Sequence, residues 1–139
     1  YYLYRLNISV FDMEEIDQHS KKVCKDLLLD LINVSKGHSS VKFFRKDITT
    51  MLIWLFIMEA YSEKRIINIE DISRGISQAT TISKPSLRLI LENAKELKFL
   101  KFTHNKTDSR SWIIEPEEIS ITEFNQWTKN IIFPNDLNL

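Results

Sequence analysis

The stretch TISKPSLRLILENAKELKFLKFTHNKTDSRSWIIEP, Thr81 to Pro116, decides how the chain reads. Proline inside a helix removes a hydrogen bond and clashes with the preceding turn. Yet Pro85 stands ahead of a run in which Leu87, Ile90, Leu91, Ala94 and Leu97 recur at helical spacing. The conflict disappears if Ser83 is the N-cap. Pro85 then lies in the first turn, where its missing N–H breaks no intrahelical bond and its fixed φ suits the helix. A helix over residues 84–98 follows, with Arg88 and Leu89 turned away from the apolar face. Lys84, Ser86 and Arg88 gather at its tip, where the helix dipole favours anions such as phosphate. Two β-prone runs come next, FLKFTH and RSWIIEP, separated by NKTDS. Polar turn formers between apolar runs predict a hairpin with a loop of about five residues, ended by Pro116.

On the N-terminal side, Asn68 is a candidate cap, with Glu70 and Asp71 in the first turn. Ile69, Ile72 and Ile76 on one face predict a helix to about Ala79, joined to the next by the short connection TTI. RIINI, Arg65–Ile69, is compatible with a short strand. Upstream, Asp47 caps a helix from Ile48 to about Glu63. It is apolar nearly all round across MLIWLFIM, Met51–Met58, which places it at the centre of the fold. Trp54, Phe56, Met58 and Tyr61 are read as core. SKGHSSVKFF before it is read as a loop. Met13, Ile16, Ser20, Val23, Leu27, Leu31 and Val34 predict an amphipathic helix, with Cys24, Leu28 and Ile32 widening its stripe. Tyr1–Phe11 fits a strand, a helix start or a docked arm. On the C-terminal side, Phe124, Trp127, Thr128 and Ile131 predict a helix from Thr122 to about Ile132, stopped by Pro134.

The 139 residues suffice for one domain with a real core, and 43 % are apolar, which argues against disorder. Two glycines and three prolines among many Leu, Ile, Lys and Glu residues favour helix. No run reaches the roughly 18 apolar residues of a membrane span, and no signal peptide is apparent. The chain opens on Tyr1 rather than Met, as expected if an initiator segment has been trimmed. One cysteine, Cys24, excludes an internal disulfide and fits a reducing, cytoplasmic setting. Nineteen basic residues balance nineteen acidic ones, but unevenly. Residues 84–110 hold seven basic side chains against three acidic, whereas residues 111–139 hold one against five.

Helix, helix, short strand, helix, turn, helix, hairpin, helix is the order of a winged helix-turn-helix. Its second helix enters the DNA major groove, about 12 Å wide, and its hairpin reaches the neighbouring backbone or minor groove. ISKPSLRLILENAKELKFL resembles the recognition helix of the multiple-antibiotic-resistance regulator (MarR) family. KFTHNKTDSRSWIIEP resembles that family's wing, marked by Asp-x-Arg at the tip, here Asp108-Ser109-Arg110. The resemblance covers roughly Asp47 to Ile132. It implies a homodimeric, sequence-specific regulator of transcription that binds double-stranded DNA. It also implies a small-molecule effector, phenolic or lipophilic, which no residue pattern here names. Arg110 is the wing residue expected near DNA, and Asp108 the one expected to hold the wing. This chain departs from the family where Leu89 stands at a frequent arginine and Lys98 at the usual glycine.

The expected DNA-facing set is Lys84, Pro85, Ser86, Arg88 and Leu89 on the helix, with Glu92 or Asn93 further along, and Lys106, Asp108 and Arg110 on the wing. Against it stands the reading of the basic residues as a solvated face. For Lys101 and Lys106 the plain alternative is protection of a strand edge. Trp112 is read as packing rather than a platform for bases, and Cys24 as a small core residue rather than an oxidant sensor. His19, His38 and His104 are too scattered for a metal site. No nucleophile triad, phosphate loop or cysteine pair suggests catalysis, and no cofactor is expected.

The fold class expected is mainly α with a small β-hairpin wing. Residues 1–46 form an arm and dimerisation helix, 47–116 the winged helix-turn-helix core with its wing at 99–116, and 117–139 a C-terminal dimerisation helix. The competing function is a winged helix that binds protein without DNA, favoured by zero net charge and acidic flanks.

Overall fold

The computed structural model describes residues 14–33, 39–108 and 110–131. The expectations for Tyr1–Phe11, Met13, Val34, Ile132 and Pro134 fall outside them. The described residues form α1 (Gln18–Asn33), α2 (Ser39–Phe44), α3 (Ile48–Ser62), α4 (Ile69–Ile76), α5 (Lys84–Glu96), β1 (Leu100–His104), β2 (Trp112–Pro116) and α6 (Glu118–Ile131). The class is the expected one, mainly α with a two-stranded antiparallel hairpin.

Asp47 caps α3 as its sequence predicts: backbone there is extended, and the carboxylate accepts the Thr50 N–H at 2.7 Å. From α3, Ile53, Trp54, Ile57, Met58 and Ala60 are buried. Phe44, Ile72, Ile76, Leu87, Leu91, Ala94, Leu100 and Ile114 surround them. The Trp54 ring stacks on Phe44 with centroids 5.5 Å apart, meets Phe124 edge-on at 5.1 Å and leans on Trp127 at 5.0 Å. Tyr61 is half exposed rather than core, because it lies in the last turn of α3 beyond the packed layer. Gly75 in α4 lies against the Phe56 ring, 2.0 Å from where a Cβ would stand. Only glycine lets the two helices approach with that ring in place.

Several boundaries differ from the sequence reading. α1 starts at Gln18 rather than Met13, since Asp17 caps it by accepting the Ser20 N–H at 2.8 Å. Ser39–Phe44, read as loop, is helical and buries Ser40, Val41 and Phe44. Arg65–Ile69 forms no strand, although the Ile67 carbonyl accepts the Ile114 N–H at 3.0 Å. α4 ends at Ile76, three residues short of Ala79. α6 begins at Glu118 rather than Thr122 because Ser120 is buried and its hydroxyl donates to the Phe99 carbonyl at 2.7 Å. The hairpin pairs Leu100 with Pro116 and His104 with Trp112, so its loop spans residues 105–111 and is longer than expected.

Both long core helices end in the same way. After α3, Lys64 has φ 57° and the Arg65 N–H donates to the Ala60 carbonyl at 2.8 Å. After α5, Lys98 has φ 63° and the Phe99 N–H donates to the Ala94 carbonyl at 2.9 Å. These are Schellman closures with lysine in the left-handed position that glycine usually takes. The closure also turns Leu97 outward, 53 % exposed, although its spacing placed it on the inner face.

α1 and α6 attach to this core through polar contacts as well as rings. The Arg45 guanidinium donates to Asp30 of α1, whose same carboxylate oxygen accepts the Trp127 indole N–H at 2.9 Å. Buried Glu123 of α6 accepts the Ser40 N–H at 2.9 Å and the Ser40 hydroxyl at 2.5 Å. The apolar stripe of α1 is not covered in the same way: Leu28, Leu31 and Ile32 are exposed, and so is Cys24, which the sequence had placed in the core.

Two stability measurements check these helix ends. Lys98→Gly relieves a left-handed side-chain conformation and should raise unfolding free energy by about 1 kcal/mol in a denaturant titration. The Thr50 N–H holds the Asp47 carboxyl below its ordinary 3.8. A folded value below the unfolded one stabilises the protein above the unfolded pKa and is lost as pH falls through the folded one. Native protein should therefore be more stable than Asp47→Asn at neutral pH, with the gap closing below about pH 3.8.

Candidate nucleic-acid interface

Asn68 and Asp71 form a reciprocal capping box at the start of α4: the Asp71 N–H reaches the Asn68 side chain at 2.9 Å, and the Asn68 N–H reaches the Asp71 carboxylate at 2.9 Å. The Asn68 amide nitrogen also donates to the Ser111 hydroxyl at 3.2 Å, tying α4 to the base of the wing. Thr80 closes the turn after α4 through its N–H to the Ile76 carbonyl at 3.1 Å, and an irregular connection leads to extended Ser83 and α5.

At the tip of α5, Ser83 accepts the Ser86 N–H at 3.2 Å, and its hydroxyl bonds that of Ser86 at 2.9 Å. Pro85 sits in the first turn, as expected. Leu87, Leu91 and Ala94 are buried, with Ile90 half-buried beside them. Lys84, Pro85, Ser86, Arg88 and Leu89 are all exposed. Lys84 and Arg88 lie one turn apart on a single flank, whereas Leu89 stands on the outer face. Further along that flank, the Lys95 ammonium lies 5.2 Å from the centre of the Phe102 ring.

In the wing, the Asp108 carboxylate accepts the Arg110 N–H at 3.0 Å, and its carbonyl accepts the Ser111 N–H at 3.0 Å. Asp108 therefore folds the turn that presents Arg110. Asn105 performs the same task on the other side, accepting the Thr107 N–H at 3.0 Å. Lys106 is exposed between them. Trp112 is 42 % exposed, not core packing. It shares a face with buried Ile114 and Pro116 but extends past the edge of the core, and its ring lies over His104 with centroids 3.8 Å apart. Lys101 faces Glu115 across the strands, 3.7 Å away.

Helix and wing enclose a cleft of about 380 Å³ whose walls include Arg88 and Leu91 from α5, Asp108, Arg110 and Trp112 from the hairpin, and Asn68 and Glu70 from α4. Arg88, Asp108 and Arg110, named separately from helix and wing, thus line one cleft. Lys106, Pro85, Ser86 and Leu89 do not line that cleft. The sequence reading missed two members. Asn68 was read only as a cap, and Glu70 only as a favourable charge at a helix start, yet Glu70 forms an ion pair with Lys84 at 2.9 Å. Nothing in residue spacing links positions 70 and 84; the turn between α4 and α5 does.

Among the described residues no group of three metal-ligating side chains exists, and no helix is long and apolar enough to cross a membrane.

No protein-family model matches the sequence, and no curated protein does. Solved structures do resemble it. The YusO protein from Bacillus subtilis aligns at 10 % identity and a TM-score of 0.51, over 81 % of this chain and 77 % of that one. The adhesin competence repressor AdcR from Streptococcus pyogenes aligns at 15 % identity and a TM-score of 0.48, over 85 % and 75 %. Reduced AbfR, solved bound to DNA, aligns at 16 % identity and a TM-score of 0.49, over 88 % and 85 %. At these identities the likeness is one of fold: the helix pair followed by a two-stranded hairpin, a winged helix-turn-helix, is the architecture this chain shares with YusO.

Proposed function

We propose that the chain is a MarR-type regulator of transcription that binds double-stranded DNA in a sequence-specific manner as a homodimer. The observation that carries this reading is the pairing of Arg88 and Arg110 across one cleft, from a recognition helix and a wing that are separate elements. Two guanidiniums on separate elements can engage a guanine edge and a phosphate together. Around them, Lys84, Pro85, Ser86 and Leu89 form an exposed helix tip, and Lys106 extends the basic character of the wing.

In this reading Arg88 reads a base edge and Leu89 touches thymine methyl groups from the outer face of α5. Lys84, Lys106 and Arg110 engage phosphate, and Pro85 and Ser86 hold the tip that Asp108 matches on the wing. Base contacts specify the site and phosphate contacts set the register. The dimer rests on α1, where Leu28, Leu31 and Ile32 are 59 %, 59 % and 64 % exposed. An apolar row of that kind on a helix anchored by Asp30 is covered most simply by a second copy across a two-fold axis. A cytoplasmic setting and a small-molecule effector belong to the same proposal.

Two experiments test it. Arg110→Ala should weaken binding to all duplexes and flatten the dependence of log K on log salt by about 0.9 per subunit. Arg88→Ala should cost about 1–3 kcal/mol on a selected site and relax preference at one base pair. Binding that is insensitive to salt, or no sequence enrichment from a random duplex library, sinks the reading in favour of a protein-binding winged helix. For the dimer, Leu28→Glu with Leu31→Glu should yield monomers by sedimentation, with the winged core still folded.

A further inference from the structure

The ion pair between Glu70 and Lys84 joins the first turn of α4 to the first residue of α5. Lys84 is 65 % exposed at its side chain and Glu70 48 %, so both are reachable from solvent. Glu70 also lines the cleft that holds Arg88 and Arg110. A carboxylate there presents to the basic tip what a DNA phosphate would present: an oxyanion at hydrogen-bonding distance from the ammonium. The geometry points to Glu70 as an intramolecular competitor for phosphate, a built-in restraint on DNA affinity acting through Lys84. This deepens the DNA-binding reading and rests on it.

The energetics favour an adjustable restraint over a lock. An exposed ion pair is weak, so Lys84 leaves Glu70 readily when a phosphate arrives. Non-specific binding, made almost wholly of phosphate contacts, feels this most directly. A charge-neutral chain with its basic block restrained in this way would avoid indiscriminate attachment to nucleic acid. The other acid of the same turn, Asp71, is engaged with Arg74 at 2.5 Å and with the Asn68 N–H, so it does not substitute for Glu70.

The test is a salt titration of the full chain on a mixed-sequence duplex, comparing wild type, Glu70→Gln, Glu70→Ala, Lys84→Gln and the Glu70→Gln/Lys84→Gln pair. Both neutral replacements of Glu70 should tighten binding about fivefold and steepen the salt slope by about 0.9 per subunit. The steepening should vanish when Lys84 is also replaced. Loss of a favourable helix-start charge alone would alter melting but leave the salt slope unmoved. Unchanged slope and affinity in the Glu70 variants, with Arg110→Ala still weakening binding, overturns the restraint and leaves the DNA reading intact. Steepening that persists without Lys84 also overturns it. If wild type shows no salt-dependent binding to any duplex, the DNA reading fails and the restraint fails with it.

Discussion

Trp54 is the contact on which the arrangement of helices depends. It is fully buried in α3, stacked on Phe44 of α2 and touched by Phe124 and Trp127 of α6. A large rigid ring at the meeting point of three helices fixes their separations, because substituting anything smaller leaves a void that packed neighbours cannot fill. Its indole nitrogen has no hydrogen-bond partner among the described residues. An unpaired buried donor costs on the order of 1–3 kcal/mol, so the ring is held there by its apolar area and stacking, despite its polar atom. Trp127 then carries the arrangement outward, since its own N–H finds Asp30 and with it α1.

Local chemistry explains which parts of the fold were legible from residues alone. Ser83, Asn68 and Asp47 are caps in the structure because a short polar side chain ahead of an apolar run has little else to do. The hairpin was legible from two β-prone runs around polar turn formers. Less legible were elements whose existence depends on distant partners. Ser39–Phe44 is six residues long, below what propensity supports, and is helical because Glu123 receives both its Ser40 donors from across the chain. The early start of α6 depends likewise on the Phe99 carbonyl. Trp112 obeys the right period but lies where the core has already ended, and periodicity carries no information about where a core stops; Leu97 obeys it too but sits at the closure of α5, which turns it outward.

The candidate interface divides in the same way. Arg88, Asp108 and Arg110 could be named as candidates because helix tip and wing tip are local motifs, and the fold places all three around one cleft. Glu70 was legible as a residue of the right sign for a helix start, but its contact with Lys84 arises from the angle between two helices. The role of Asp108 in shaping the turn, accepting one backbone N–H through its carboxylate and another through its carbonyl, became specific only with coordinates.

Asn68 uses both ends of its amide: the oxygen caps α4 and the nitrogen holds Ser111. A carboxylate at this position would cap the helix about equally well and could keep the second contact only by reversing it, with the Ser111 hydroxyl turned to donate. Beside this side chain the Ile67 carbonyl accepts the Ile114 N–H. The start of α4 and the returning strand of the wing are therefore stitched by one side-chain bond and one backbone bond, so that a shift of either element is passed to the other.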